Sequence, residues 1–180
     1  MAHRFNILVS ASMFVLLALS AAVFAQDLTL PGGAGSLREA HGDWTVACAL
    51  QPAEGAQRKV CALAQEQLAA NTRQRALAIE LKPDAGSAKG TLVLPFGLAL
   101  DKGARFVLDD GEAGDVQRFR TCLPIGCLID VEFDAGTIKA LRSGKVLKVE
   151  AAADGGREMS FSIYLSGFAG AYDRTAALVK

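Results

Sequence analysis

The sequence predicts a mainly β protein that folds as an antiparallel sandwich with one or two short helices. Segments in which apolar and polar residues alternate recur along the chain, most clearly at 129–133 and 159–165, and a period of two is typical of strands with one buried face. Turns that contain Gly or Pro separate these segments, and helical spacing is confined to two short stretches. The uneven strand lengths favour a sandwich over a barrel.

The first 25 residues are predicted to be a signal peptide and not part of the fold. An uncharged apolar run covers 7–25. Val23 and Ala25 suit the small-residue rule of signal peptidase, so we expect the mature chain to begin at Gln26. An uncleaved membrane anchor is the alternative, because the run is close to the lower length limit for a span. Cleavage would give a periplasmic or secreted protein.

The mature chain is predicted to hold a flexible leader over 26–40 and a single domain over 41–180. Removing the first 25 residues removes one basic residue, Arg4, and no acidic one, which leaves a formal net charge of −1. No basic stripe indicates a nucleic-acid surface, and no polybasic patch indicates an anionic membrane surface. Composition therefore excludes nucleic acid as an expected partner, and no membrane span is expected after cleavage.

Taken in order, the alternating segments predict a series of short strands separated by turns. We expect residues 51–57 to form a loop and 109–115 to form an acidic, solvated hairpin tip, which lacks the spacing of an EF-hand calcium loop. Ser166 is expected to cap a closing segment in which Phe168 and Tyr172 share one helix face. The predicted strands cover 44–48, 58–67, 74–82, 91–94, 104–108, 129–133, 145–151 and 159–165.

One helix is predicted between the strands of the C-terminal half. Asp134 is a suitable N-cap for a helix that runs through Arg142, and Gly144 is a suitable end. Ile138 and Leu141 would then face the core.

All four cysteines lie in the mature part, and an even number in an exported chain indicates a disulfide framework. Four cysteines allow three pairings, and spacing alone does not choose among them. We predict Cys48–Cys61 and Cys122–Cys127 because each pair brackets a plausible turn. Closing the longer loop stabilises the fold by about 3 kcal/mol in the chain-entropy model, and Trp44 is expected to pack nearby.

The second pair is predicted to clip a hairpin. Cys122 and Cys127 flank the segment 123–126, in which Pro124 and Gly126 suit a type I turn. Residues that flank a four-residue hairpin loop face each other, within the Cα separation of roughly 4.4–6.8 Å that a disulfide needs.

A redox or metal role for the same two cysteines is the alternative interpretation. Arg118 and Arg120 lie nearby in sequence, and a neighbouring cation lowers the pKa of a thiol. Against this, redox pairs usually have two intervening residues, whereas Cys122 and Cys127 have four. No helix is predicted to begin after Cys122, so the usual device for stabilising a thiolate is missing.

The residues do not assemble into an active site. His41 is the only histidine of the mature chain, so a Ser-His-Asp arrangement or a zinc site would depend on it, and we expect it to be exposed or capping. Asp130 and Glu132 fall on the solvent face of a strand and are expected to aid solubility. Most of the phenylalanines fall on inward faces and are expected in the core. We predict no catalytic, metal or cofactor-binding residue, and no enzyme.

Four motifs together resemble the invasion-associated locus B family over residues 41–178. They are Gly42-Asp43-Trp44, the segment Leu94-Pro95-Phe96-Gly97-Leu98 with Asp101-Lys102-Gly103, the run from Phe119 to Cys127, and Gly167-Phe168 through Asp173-Arg174. The resemblance implies an exported protein of alphaproteobacteria or their relatives, with a periplasmic or outer-envelope location and an immunoglobulin-like sandwich. Pathogenic members are linked to invasion of host cells, notably red cells, and members also occur in free-living bacteria. The family supplies no accepted catalytic residues.

Three functions remain open from sequence. The first is a non-enzymatic module that binds a protein partner in the envelope or on a host surface. The second is a disulfide redox factor that uses Cys122 and Cys127. The third is a periplasmic protein that binds a small ligand in a pocket between the sheets.

Overall fold

Two antiparallel sheets face each other in the computed structural model, which describes residues 30–53, 56–69, 71 and 73–180. The predicted signal peptide over 1–25 and the predicted mature N-terminus at Gln26 lie outside the described residues. A short 3-10 turn at Pro31–Gly33 comes first. The described elements are then β1 (Ser36–His41), β2 (Trp44–Ala53), β3 (Ala56–Leu68), β4 (Arg75–Asp84), β5 (Ser87–Leu94), β6 (Ala104–Leu108), β7 (Phe119–Leu123), β8 (Gly126–Phe133), α1 (Ala135–Ser143), β9 (Val146–Ala152), β10 (Glu158–Tyr164) and α2 (Phe168–Leu178).

Among the described residues, the larger sheet has seven strands in the order β1-β2-β3-β4-β5-β8-β7, and the smaller has three in the order β10-β9-β6. The first five strands form a meander. The chain then crosses to the smaller sheet for β6, returns for the β7–β8 hairpin, and passes through α1 to β9 and β10. The predicted antiparallel sandwich with two short helices is confirmed.

Alternation places one face of each strand in a single core between the layers. In β8, Ile129, Val131 and Phe133 are buried, whereas Asp130 and Glu132 are exposed. The inner residues of both sheets and of both helices join one contiguous apolar cluster. Burying such side chains stabilises the fold by about 1.5–3 kcal/mol each, which is why the alternating pattern in the sequence predicts the inner face of β8 correctly.

Helix α1 follows the sequence prediction at both ends. The Asp134 carboxylate accepts a hydrogen bond from the Thr137 backbone N–H at 2.6 Å, and this bond lowers the pKa of Asp134. Ile138 and Leu141 are buried, and Gly144 is the C-terminal cap. The predicted cap residues and core residues of this helix are therefore confirmed.

Polar side chains of the larger sheet bind the outer edge of β10. Trp44 Nε1 and Gln65 Nε2 both donate to the Tyr164 carbonyl, at 2.8 and 2.7 Å, and Gln65 Oε1 accepts from the Tyr164 N–H at 2.9 Å. Gln67 Nε2 donates to the Ser162 carbonyl at 2.6 Å. These bonds satisfy Gln65, which is only 4% exposed, and they occupy part of an edge that could otherwise pair with another chain.

The β1–β2 turn and the start of α2 meet at what we call the β1–α2 junction, formed by residues 41–44 and 166–174. Backbone packing there is very close. A Cβ on Gly167, which has φ +83°, would lie 2.0 Å from the His41 carbonyl oxygen, and a Cβ on Gly42 would lie 2.6 Å from the Ser166 carbonyl oxygen. The Asp43 N–H donates to that Ser166 carbonyl at 3.0 Å. Only glycine fits at the two contact points.

Aromatic rings fill the interior side of the junction. The Trp44 and Phe168 rings pack edge to face with centroids 5.1 Å apart, and the Phe168 and Tyr172 centroids are 6.0 Å apart. Trp44 is 1% exposed and Phe168 is fully buried, and the Tyr172 hydroxyl donates to the Ser87 carbonyl at 2.8 Å. The predicted shared helix face of Phe168 and Tyr172 is confirmed.

Two bidentate ion pairs hold α2 against its neighbours. Arg174 donates to both oxygens of Glu39 on β1, at 2.8 and 2.7 Å, and these hydrogen bonds lower the pKa of Glu39 to about 2. Arg142 of α1 donates to both oxygens of Asp173, one at 3.0 Å, and lowers the pKa of that carboxyl. Bidentate geometry is the strong form of such pairs.

The structure corrects the predicted leader for its described residues, 30–40. Residues 36–41 form β1, which pairs with β2 along its whole length, and Leu30 is buried at 2% exposure. The glycine-rich composition of 31–36 suggested flexibility, but the next residues are ordered by a partner strand and by the Glu39–Arg174 ion pair. That pair joins residues 135 positions apart, so no local pattern could show it.

Two local predictions were also wrong. The loop expected over 51–57 is mostly strand, because β2 continues to Ala53 and β3 begins at Ala56, with Gln51 opposite Arg58. Ser166 is not the cap of the closing helix. The N-cap of α2 is Gly167, which has no side chain to offer and is required there by its left-handed backbone.

Candidate functional site

The cysteines expected to be structural or redox-active are all in disulfides. Cys48 bonds to Cys61 across β2 and β3 with a Cα separation of 4.1 Å, and Cys122 bonds to Cys127 across β7 and β8 with a Cα separation of 3.9 Å. Both separations are slightly below the expected range, and each pair is directly opposite in its ladder. Arg120, the cation near Cys122, is paired with Asp130 at 3.0 Å. This arrangement suits a structural clip.

The remaining residues considered for catalysis or metal binding are engaged elsewhere or exposed. His41 Nε2 lies 3.5 Å from Glu39 Oε2, and Glu39 itself is bound by Arg174. Glu132 pairs with Lys89 at 3.4 Å on the solvent face. In the part of the chain that the structure describes, no three His, Cys, Asp or Glu side chains are grouped so that they could hold a metal ion.

The acidic segment over 109–115 is an exposed hairpin tip from Asp110 onward, as predicted, and its backbone folds back on β6. The Asp109 carboxylate accepts hydrogen bonds from the backbone N–H groups of Lys145 and Val146, both at 2.9 Å, and these bonds lower the pKa of Asp109. The Gly114 N–H donates to the Phe106 carbonyl at 2.8 Å. The Oδ1 atom of Asp109 therefore holds the backbone at the start of β9.

An exposed apolar surface lies where several strands of the larger sheet end together. Because neighbouring strands are antiparallel, the end of β3, the start of β4, the end of β5 and the β7–β8 turn meet at one edge of the sheet. Their side chains surround a depression of about 660 Å³. We call this surface the tip patch and define it by its apolar members, Leu68, Pro95, Phe96, Pro124 and Ile125.

The large apolar side chains of the tip patch are exposed to solvent. Leu68 is 57% exposed, Phe96 is 62% exposed and Ile125 is 54% exposed. Single exposed apolar residues are ordinary, but a contiguous group around a depression is typical of an interaction surface. Arg73 lies on the rim, and its guanidinium forms no ion pair with any residue that the structure describes.

The backbone under the tip patch is held in place. The Cys122–Cys127 disulfide closes the turn, in which Leu123 pairs with Gly126, so that only Pro124 and Ile125 remain outside the strands. This is shorter than the predicted four-residue loop. Gly126 has φ +132°, and a Cβ there would lie 2.5 Å from the Leu94 carbonyl oxygen, so the turn packs directly on β5.

Arg75 connects the separate parts of the tip patch. Its Nε donates to Glu66 Oε1 at 2.6 Å, and its Nη1 donates to the Ile125 carbonyl at 3.3 Å. One side chain of β4 thereby links β3 to the β7–β8 turn. The residues Pro95 and Pro124 further restrict the backbone.

Sequence reasoning missed this surface. Most of the described phenylalanines lie in or against the core, as expected, and Phe96 is the exception, because it follows Pro95 outside β5 and has no layer to cover it. A signal was available in the sequence. Phe96 lies between Pro95 and Gly97, outside any alternating pattern, and a large aromatic residue in a turn is seldom needed for packing.

No helix among the described residues is long and apolar enough to cross a membrane.

Comparisons with known proteins agree with the resemblance seen in the motifs. The model of the "Invasion associated locus B (IalB) protein" family matches residues 44–176. An invasion protein B homolog of Brucella abortus (strain 2308) is 46% identical over 154 residues, which covers 84% of this chain and 86% of that protein. The invasion protein B of Bartonella bacilliformis is 33% identical over 180 residues, which covers 91% of this chain and 93% of that protein.

A solved structure shares the fold. The crystal structure of the invasion associated protein b from Bartonella henselae superposes with a TM-score of 0.71 at 32% sequence identity, and the match covers 79% of this chain and 96% of that chain. Taken with the family match over residues 44–176, these similarities show that this chain belongs to the invasion-associated locus B family.

Proposed function

We propose that this chain is an exported, non-enzymatic protein of the cell envelope that binds another protein through the tip patch. One observation carries the proposal: Leu68, Phe96 and Ile125 are each more than half exposed around a depression of about 660 Å³. Binding surfaces concentrate their free energy in a few apolar and aromatic anchors next to arginine. The tip patch has this composition, and Arg73 and Arg75 line the same depression.

A protein fits this surface better than a lipid membrane does. The depression is concave and accepts a protruding side chain of a partner, whereas a membrane surface offers no such protrusion. The mature chain carries 18 basic and 19 acidic groups once Arg4 is removed with the signal peptide, so it lacks the basic excess that attracts anionic lipid. Binding to lipid vesicles through Phe96 would overturn this part of the proposal.

Export is supported by the predicted signal peptide and by the two disulfides, since disulfides persist in oxidising compartments such as the periplasm. The partner belongs to the envelope or to a host surface. The relatives from Brucella and Bartonella are named invasion proteins or their homologs, and a role in invasion is part of this proposal for the present chain. N-terminal sequencing of the protein from the envelope fraction should give Gln26 as the first residue. A chain that still begins at Met1 would contradict export by cleavage.

Photo-crosslinking tests the binding surface. A crosslinking amino acid is placed at position 96 or 125 in living cells, and adducts in the envelope fraction are identified by mass spectrometry. The matched control places it at Leu100, which is 44% exposed, or at Tyr164, which is 49% exposed. We expect one discrete adduct from 96 and 125 and none from 100 or 164. Equal adducts from all four positions, or none from 96 and 125, would contradict the proposal.

A further inference from the structure

A second cavity lies between the two sheets, away from the tip patch. Its walls are apolar and come from four elements: Phe106 of β6, Phe133 of β8, Leu141 of α1 and Leu147 of β9. Its volume is about 350 Å³, which is within the range of small-molecule sites, about 300–1,000 Å³. The Phe106 and Phe133 rings pack edge to face with centroids 5.4 Å apart. We call this cavity the inter-sheet cleft.

The inter-sheet cleft is partly open to solvent. Phe133, Leu141 and Leu147 are buried, but Phe106 and Leu108 remain partly exposed. An aromatic wall that the protein itself leaves partly uncovered is available for a ligand.

The rim of the inter-sheet cleft is acidic. Glu112 and Asp115 line it, and the lining contains no Lys, Arg or His. Glu132 is also a lining residue, but its side chain lies on the solvent face of β8, where it pairs with Lys89 at 3.4 Å. Within the described part of the chain, the carboxylates of Glu112 and Asp115 form no ion pair.

The loop that carries the two unpaired acids is held at the cleft by backbone bonds. The Gly111 N–H donates to the Leu108 carbonyl at 2.9 Å, and the Gly114 N–H donates to the Phe106 carbonyl at 2.8 Å. Ala104 and Gln117 pair with each other through both N–H groups, at 2.9 and 2.7 Å. The backbone that carries the two carboxylates is therefore held beside the aromatic wall.

We propose that the inter-sheet cleft binds a small organic cation with an apolar or aromatic body. The apolar walls would bury the body, and the acidic rim would pair with the ammonium or similar group. Aromatic rings add to this preference, because the negative face of a ring attracts a cation. An anionic ligand is disfavoured by the rim carboxylates of Glu112 and Asp115, and a neutral ligand would gain nothing from their charge. The site is separate from the tip patch and does not depend on the protein-binding proposal.

The test uses the processed protein purified after export, with 2-phenylethylammonium as the probe and 2-phenylethanol as its neutral counterpart. Amide chemical shifts in NMR titrations locate the site and give both affinities. We expect the ammonium probe to bind with a Kd of about 1 mM or tighter, with the largest shifts at Phe106, Ala140 and Leu147. The neutral probe should bind at least fivefold more weakly.

A variant without the two rim charges distinguishes the contribution of the rim to binding from that of the apolar walls. Glu112→Gln with Asp115→Asn should weaken the ammonium probe by roughly five- to tenfold and leave the neutral probe within twofold. The matched control is Asp101→Asn with Asp154→Asn, which removes the same charge from two exposed acids outside the cleft and should change neither affinity. Equal binding of the two probes, shifts outside the cleft, or the same loss in the control variant would overturn the proposal.

Discussion

The β1–α2 junction and the tip patch differ in almost every physical respect, although both use short motifs rich in glycine and aromatic residues. At the junction, Trp44 and Phe168 are buried and Arg174 is paired with Glu39. At the tip patch, Phe96 and Ile125 are exposed and Arg73 has no ion pair among the described residues. The same residue types are buried in the fold in one place and exposed to solvent in the other. Burial, and not composition, separates the two regions.

The largest expected effect is at the junction. Gly167→Ala places a Cβ 2.0 Å from the His41 carbonyl oxygen, so the backbone must shift to relieve the clash. The new side chain is also strained, because the residue has φ +83°. We expect a loss of about 3 kcal/mol or more in the free energy of unfolding. Gly97→Ala is the matched control beside the tip patch, because Gly97 has φ +87° but nothing within 4 Å of the new atom. It should lose only about 1 kcal/mol. Equal losses in urea denaturation would remove the distinction between the two regions.

Loss of the Cys48–Cys61 disulfide should lower the free energy of unfolding more than loss of Cys122–Cys127. The chain-entropy model gives about 3 kcal/mol for Cys48–Cys61, which closes a separation of 13 residues, and about 2 kcal/mol for Cys122–Cys127, which closes 5. Double alanine variants measured by urea denaturation test this order. Because Cys122–Cys127 lies under the tip patch, its loss should also reduce crosslinking from position 96, whereas loss of Cys48–Cys61 should not do so while the protein remains folded. The reverse order of stability would show that packing or strain outweighs loop length.

The disulfide redox function makes a separate prediction about Cys122–Cys127. A structural clip should have a reduction potential below roughly −300 mV, and the protein should not reduce insulin. A titration against a glutathione redox buffer measures the potential. A midpoint near that of disulfide oxidoreductases, with turnover lost in Cys122→Ser, would replace the binding interpretation with a redox one.

Acid should weaken the junction before it affects the tip patch. The pKa of Glu39 is lowered from 4.5 to about 2, so the ionised form contributes stability above about pH 4.5, and that contribution is lost as the pH falls toward 2. In Glu39→Gln, the urea concentration at the midpoint of unfolding should therefore decrease less than in the wild type as the pH falls from 4.5 toward 2. Some dependence should remain, because the pKa of Asp173 is lowered as well. Glu158→Gln, on an exposed part of β10, is the control and should leave the slope unchanged.

What the sequence predicted correctly was local. The strand β8 and the helix α1 with its caps Asp134 and Gly144 follow from patterns within ten residues, since alternation and capping are short-range. Two features were not predictable in this way. Strand β1 pairs with β2 and carries Glu39, whose partner Arg174 is 135 positions away. The tip patch is assembled from residues 68, 95–96 and 124–125, which only the antiparallel order of the strands brings together.

The inter-sheet cleft was predictable from the sequence only in part. The acidic character of 109–115 was visible in the sequence, but its place beside Phe106 follows from backbone bonds between the loop and β6. A pocket between the sheets was among the sequence hypotheses. The residues that line the pocket and their charge could be identified only from the folded structure.

Substitutions in the tip patch should have the smallest effect on stability. The same substitutions should have the largest effect on binding. Phe96→Ser with Ile125→Ser removes two side chains that are more than half exposed, so the free energy of unfolding should change by less than about 0.5 kcal/mol. The matched control, Leu100→Ser with Tyr164→Ser, removes two exposed apolar side chains elsewhere.

The most direct test of the account is the affinity of these two variants for the partner identified by crosslinking, measured by calorimetry on proteins of verified stability. We predict that Phe96→Ser with Ile125→Ser loses more than about tenfold in affinity, because two anchor residues are removed, and that the control variant binds as the wild type does. An unchanged affinity in the tip-patch variant, or an equal loss in the control, would contradict the assignment of binding to the tip patch.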